Sequence, residues 1–334
     1  MRRVLLLAAV LLVAPALARA TVTSGTRKAA WRAAKAAYGH GHDRKAFAEF
    51  RRLAVQGYAP AEFELGLLYE LGRGVTRNYT KARTWFLRAA AQGVARADCR
   101  LGWMYAGGLG VPKSKTKAFE WIRRAARRHD AASEDTVGLF YLMGIGVSPS
   151  SSKALKWLRR SAKQGYALGE TMLGLMYLRG HWGKHDAKGL KWLRRAAKQG
   201  EVQAETNLGA LYIKGHGVKR NDAKALKWYR RAARGGDANV AMIVGFMYFK
   251  TQGNLVKAYK WYLIAERRGS ATRHRRKELG RILRILTAHM TPTQIAQARR
   301  DAAAWFAAHG RGKGNQPLGA QAPAETAHGG GRLP

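Results

Sequence analysis

"ALKWLRRSAKQG" (154–165) returns almost verbatim as "GLKWLRRAAKQG" (189–200) and again as "ALKWYRRAARGG" (225–236). Taken singly, each stretch is a basic amphipathic helix. Taken together they are an internal period, and a period of this size is the mark of a solenoid. Leu65-Gly66, Leu101-Gly102, Val137-Gly138, Leu173-Gly174, Leu208-Gly209 and Val244-Gly245 follow one another at 36, 36, 36, 35 and 36 residues. Tyr69, Tyr105, Tyr141, Tyr177, Tyr212 and Tyr248 keep the same phase, as do Trp85, Trp121, Trp157, Trp192, Trp228 and Trp261. The last Trp interval shortens to 33 residues, which places a deletion in the loop between Gly245 and Trp261.

Each unit reads as helix A, loop, helix B. Helix A carries small and apolar residues at helical spacing, as in Ala61, Leu65, Leu68 and Tyr69. A Gly-rich loop such as "GRGV" (72–75) or "GHGV" (215–218) follows. Helix B starts after Asn78, Ser114, Ser150, Asn221 or Asn254, side chains that accept bonds from first-turn amides. His185 breaks that pattern, with Asp186 beside it as a substitute. Helix B ends at Gly57, Gly93, Gly165, Gly200, Gly236 or Gly269, where a left-handed residue closes the turn, except that His129 stands there once and predicts the weakest cap. Gly66 and Gly102 on helix A and Ala82, Ala118, Ala154 and Ala225 on helix B predict close helix approach. Gly inside a helix costs about 1 kcal/mol relative to Ala, so packing must offset it. The Trp and Tyr columns are expected to fill the core.

The pattern A-x-x-x-L-G-x-x-Y, G-x-G-V, K-A-x-x-W-x-x-R-A-A-x-Q-G, complete from Ala61 to Gly93, resembles the Sel-one-like repeat, a relative of the tetratricopeptide repeat. The resemblance covers about six units over 45–270 and opens on a half-match, "KAFAEFRRLAVQG" (45–57), with Glu49 in the Trp place. It implies an all-α fold, a right-handed superhelix of stacked antiparallel helix pairs, serving as a protein-binding scaffold with no catalytic residue in the repeat. The expected organisation is a signal peptide (1–20), a degenerate capping repeat (21–57), the array (58–270), C-terminal capping helices (271–309) and a disordered tail (310–334) rich in Gly, Pro, Ala and Gln. Thr291 and Pro292 are the start signal of the last helix.

Residues 1–20, "MRRVLLLAAVLLVAPALARA", have Arg2 and Arg3, a short apolar run and a small-residue Ala18-Arg19-Ala20 ending, the layout of a signal peptide cleaved after Ala20. The expected location is periplasmic or secreted, without an integral membrane segment after cleavage. Cys99 is the single cysteine, so no intramolecular disulfide forms and packing must supply stability.

Lys and Arg number 61 against 20 Asp and Glu, a formal charge of +41. Such a field attracts acidic or anionic partners. Counted from each Trp, positions −1, +2, +3 and +6 share one helical face. All four are basic in three consecutive repeats: Lys156, Arg159, Arg160, Lys163; Lys191, Arg194, Arg195, Lys198; Lys227, Arg230, Arg231, Arg234. Stacked, they form a basic plate, whose plainer reading is a solvated face that keeps the chain soluble. Helix A carries an acidic column (Glu62, Asp98, Glu134, Glu170, Glu205), some of which is expected to neutralise basic residues of adjacent helices, exposed pairs being worth about 0–1 kcal/mol each. An acidic protein ranks first as partner, with anionic phospholipid, lipopolysaccharide or cell-wall polymer behind it. Nucleic acid ranks lower, since no nucleic-acid module is present.

His181, His185 and His216 lie in loops of adjacent repeats, with Asp186 and Asp222 near, but lack closed metal-ligand spacing. No cofactor or metal is expected. The competing function is a cell-envelope hydrolase of the penicillin-binding or β-lactamase-like type, since some members of the resembled family carry that description. Those members have a cysteine pair in each repeat, which this chain lacks. Ser150-Ser151-Ser152-Lys153 has S-x-x-K form but reads as a helix cap followed by the repeat Lys, so no enzyme is expected.

Overall fold

The computed structural model describes residues 24–179, 185–269 and 273–309; the signal-peptide and tail expectations, and His181, fall outside them. The described residues form sixteen helices and no strand. They are α1 (Ser24–Gly39), α2 (Asp43–Val55), α3 (Ala59–Leu71), α4 (Tyr79–Ala91), α5 (Ala95–Gly107), α6 (Lys115–Arg127), α7 (Ala131–Met143) and α8 (Ser151–Lys163). There follow α9 (Ala167–Leu178), α10 (Asp186–Lys198), α11 (Val202–Lys214), α12 (Asp222–Ala233), α13 (Ala238–Gln252), α14 (Leu255–Arg268), α15 (Arg273–Ala288) and α16 (Pro292–His309). No described helix is long and apolar enough to cross a membrane.

Odd-numbered α3 to α13 are helix A of six units and even-numbered α4 to α14 are helix B. Each A packs on its own B, and each B on the next A, so the chain is an all-α solenoid of stacked pairs. Helix As also touch one another, α7 with α9 and α9 with α11, whereas no comparable packing joins successive helix Bs. Helix A therefore lines the inner side and helix B the outer. The difference follows from composition: α9 is apolar nearly all round, as a helix with several packed faces must be, while α8 buries one stripe of Ala154, Leu155, Leu158, Ser161 and Ala162.

The closest A–B approach is at the repeated glycine. A Cβ at Gly138 would lie 2.6 Å from Leu158 Cγ, so only glycine admits the leucine. That leucine follows the Trp, and its column (Phe86, Ile122, Leu158, Leu193, Tyr229) is the buried centre of helix B. The Trp column differs from expectation. Trp85, Trp121, Trp157, Trp192 and Trp228 are half-buried, and only Trp261 of that column is buried. Each half-buried ring lies under the arginine three residues on: the Arg160 guanidinium is 4.6 Å from the Trp157 centroid and that of Arg88 is 4.7 Å from Trp85. The Tyr column is buried except for Tyr105. The repeat lysine covers it, Lys153 Nζ lying 5.6 Å from the Tyr141 centroid and Lys224 Nζ 5.7 Å from Tyr212.

Asn78, Ser114, Ser150, Asn221 and Asn254 accept bonds from the backbone N–H three residues ahead. His185 makes no such bond, and the Asp186 carboxylate instead stands 3.7 Å from His216 Nε2. His129 takes φ 62°, the left-handed region otherwise left to glycine among the described residues. In the loops, the second glycine abuts the start of the preceding helix B. A Cβ on Gly146, at φ +67°, would lie 2.1 Å from the Lys115 carbonyl oxygen. At the C-terminal end α16 packs on α14, with Trp305 edge-on to Trp261 at 5.7 Å.

Candidate functional site

The acidic column on helix A is paired with adjacent helices as expected, but it is buried, so the small value of an exposed pair does not apply. Asp98, Glu134 and Glu170 have no exposed surface, and Glu205 and Glu62 are 2% and 3% exposed. Each of the first four is met by the +3 arginine of its own helix B. Arg160 Nε donates to Glu134 Oε1 at 2.9 Å, Arg195 Nε lies 2.5 Å from Glu170 Oε1, Arg124 Nε lies 3.2 Å from Asp98 Oδ1, and Arg231 pairs with Glu205. The helix-end glutamine supplies the second bond: Gln164 donates to Glu134 at 2.7 Å, Gln199 to Glu170 at 2.9 Å and Gln92 to Glu62 at 2.7 Å. Burial raises the pKa of each carboxylate and the arginines oppose it; Asp98 is pushed up to about 6.

Those arginines also cross between units. Arg124 and Arg128 both donate to the Ala90 carbonyl at 3.1 Å, and Arg231 donates to the Ala197 carbonyl at 2.6 Å. The acceptors are in the last turn of the preceding helix B, where a cation is favoured by the helix dipole. R-A-A-x-Q-G is thus half of a lock within each unit whose other half is the helix-A acid, and in two units its arginine also reaches back to the preceding helix B.

The twelve basic residues therefore divide. Arg160, Arg195 and Arg231 belong to the lock. Arg159 donates to the Tyr177 hydroxyl at 3.0 Å, tying α8 to α9. Lys156, Lys163, Lys191, Arg194, Lys198, Lys227, Arg230 and Arg234 are exposed and form no ion pair among the described residues. They stand in three stacked rows on the outer face of α8, α10 and α12.

Sequence reasoning missed a second surface. The residue after the repeated glycine of helix A is Trp103, Leu139, Leu175, Ala210 and Phe246 from α5 to α13, part-buried in the first four and exposed at Phe246. Phe246 and Phe249 are each 50% exposed and Met143 is 64% exposed. The signal was present in helix A, whose apolar residues exceed what one buried stripe requires.

The residues weighed for chemistry do other work. Ser150 caps α8 by accepting from Lys153 N–H, and Lys153 covers Tyr141. His185 lies edge-on to Tyr177 and His216 Nε2 is 3.2 Å from the Leu178 carbonyl oxygen. Burial pushes the Cys99 thiol up, away from the reactive thiolate. No group of three or more potential metal ligands occurs among the described residues.

Comparison with known proteins agrees with this architecture. The chain matches no curated protein. Among solved structures it is similar to a Sel1 repeat protein from Oxalobacter formigenes, at 27% identity over 73% of this chain and 98% of that one, with a TM-score of 0.65. It is also similar to a protective antigen with an SLR fold from uropathogenic Escherichia coli, at 23% identity over 85% of this chain and 77% of that one, TM-score 0.48. An immunity protein from Pseudomonas aeruginosa matches at 20% identity over 69% of this chain and 82% of that one, TM-score 0.42. The Sel1 repeat matches residues 59–94, 95–130, 137–166, 167–201, 202–237 and 244–270, and by this run of six repeats the chain belongs to the Sel1 repeat family.

Proposed function

We propose that the protein is an exported, non-enzymatic scaffold that holds an acidic protein partner on its outer helix-B face. The scaffold role is the one a Sel1 repeat array suggests. The observation that carries the finer reading is the set of eight exposed cations on α8, α10 and α12 that form no ion pair among the described residues, beside three arginines of the same plate that do and Arg159, which bonds to the Tyr177 hydroxyl. Cations paired with internal acids cancel against them, and these eight remain for an external one. Export rests on the layout of residues 1–20. A hydrolase has no support in the placement of Ser150, Lys153 or Cys99.

An anionic lipid or lipopolysaccharide surface is the second reading, because the same rows suit a plane of phosphates. The test is capture from envelope fractions at low and raised salt. The wild type is expected to hold an acidic protein that salt releases, and a variant with Lys156, Lys191, Lys227, Arg194 and Arg230 changed to Gln is expected to lose it. Capture that follows extracted lipid rather than protein would select the second reading.

A further inference from the structure

The end of the array carries charge that the outer plate does not include. Helix α15 reads "RHRRKELGRILRILTA" (273–288), six Lys or Arg against one acid, Glu278. Leu279-Gly280 repeats the Leu-Gly step of helix A, yet Arg276 stands where Glu62, Asp98, Glu134, Glu170 and Glu205 stand in theirs, and a Cβ on Gly280 would meet nothing within 4 Å. This helix therefore takes no part in the lock. It is held by one stripe, Leu279, Leu283 and Leu286 with Met290 after them, buried in a cluster with Trp261 of α14 and Trp305 of α16. The opposite side faces solvent: Lys277, Arg281, Arg284, Ile285 and Ala288 follow at i, i+4, i+7, i+8 and i+11 and are all exposed, as is Arg276 beside them. Arg276, Lys277, Arg281 and Arg284 form no ion pair among the described residues, whereas Arg275 is engaged with Asn239 of α13. Within this cationic face Ile285 is 52% exposed.

We propose that this face of α15 binds the surface of an anionic phospholipid bilayer, with Arg276, Lys277, Arg281 and Arg284 on the lipid phosphates and Ile285 among the headgroups. A cluster of about four to eight Lys or Arg on an amphipathic helix is the pattern such a surface attracts. The face asks for charge without shape. Its cations from Lys277 to Arg284 spread over about 10 Å of one straight helix, and a single exposed apolar side chain is too little for the packed anchors of a protein interface. α15 follows the last repeat and has α14 as its main neighbour, so a plane can reach the side turned away from α14. The site is separate from the plate on α8, α10 and α12 and stands whether or not that plate holds a protein.

The probe is a vesicle of equal parts phosphatidylcholine and phosphatidylglycerol, compared with pure phosphatidylcholine, and sedimented with the chain from Thr21 onward, which holds all sixteen helices. Binding is expected to the anionic vesicles alone and is expected to fall as salt rises. Each cation at such a surface is worth about a fivefold gain, so Lys277→Gln, Arg281→Gln and Arg284→Gln together should weaken binding about tenfold or more. Ile285→Ser keeps the charge and should weaken it severalfold, at raised salt as well. Lys156→Gln, Lys191→Gln and Lys227→Gln together make the same change of charge on the outer plate and should bind as the wild type does. All six of these Lys and Arg side chains are exposed, so both variants keep the fold. No binding to anionic vesicles, equal binding to neutral ones, equal loss in the two triple variants, or loss in the plate variant alone would overturn the proposal. So would tighter binding of polyglutamate than of vesicles at matched charge, which would assign the face to an acidic protein.

Discussion

Glu134 is wholly withdrawn from solvent beneath Arg160, whose Nε donates to its Oε1 at 2.9 Å while the guanidinium rests 4.6 Å from the Trp157 centroid. One arginine thus covers a carboxylate and a tryptophan together. Arg160→Gln should lower stability by about 2–4 kcal/mol, since removing one partner leaves a buried charge uncompensated. Lys156→Gln, four residues earlier and exposed, should stay within about 0.5 kcal/mol. Urea unfolding of the two variants checks the contrast; equal effects would contradict the lock.

Asp135 is 5% exposed and its carboxyl is pushed up to about 7, first by burial and then by Glu201. The folded chain holds this proton more tightly than the unfolded one, whose aspartate sits near 3.8. The contribution to stability is full below that value and is lost as pH rises toward 7. Asp135→Asn should therefore change stability little at pH 4 and raise it by a few kcal/mol, in order of magnitude, at pH 8. Unfolding midpoints of both proteins across that range measure it. A gain that does not grow with pH counts against a buried, titrating carboxyl.

His129 holds φ 62° where the other helix-B ends place glycine. A side chain in the left-handed region costs roughly 1–2 kcal/mol, and glycine there is unstrained. His129→Gly should raise the thermal midpoint. Loss of the helix-B Gly at another unit, as in Gly165→His, should lower it.

Gly146→Ala should destabilise by more than about 1 kcal/mol, because the methyl meets the Lys115 carbonyl at a positive φ. Hydrogen exchange should show the loosening at the start of α6 as well as in the mutated loop. A change confined to the loop would mean that the loop does not brace its neighbour.

The stacked pairs were legible because packing repeats: the Leu-Gly step, the Tyr column and the Asn or Ser caps each recur wherever the same neighbours recur. The site was legible only in part. Period and helical phase set Arg160 and Lys163 on one face of α8, but they do not say that Arg160 reaches Glu134 across to α7. That is a relation between helices, and a helical wheel contains one helix. The burial of the acids follows from the same relation, so the column is the inner half of the lock. A large aromatic such as Trp157 is expected in the core; its cover is an arginine rather than another helix. The exposure of Phe246 and Phe249 is not legible in the sequence, because a helix A apolar all round looks the same whether its last face is packed or open.

The central claim is that the outer cations of α8, α10 and α12 bind while the lock arginines hold the fold. The direct measurement is partner capture at low and raised salt by two variants of equal charge change, Lys156→Gln, Lys191→Gln, Lys227→Gln against Arg160→Gln, Arg195→Gln, Arg231→Gln, each with its unfolding curve. The account predicts that the lysine variant loses salt-sensitive capture at unchanged stability, and that the arginine variant loses stability. Lysine variants that capture as the wild type does, at every salt concentration, would contradict it.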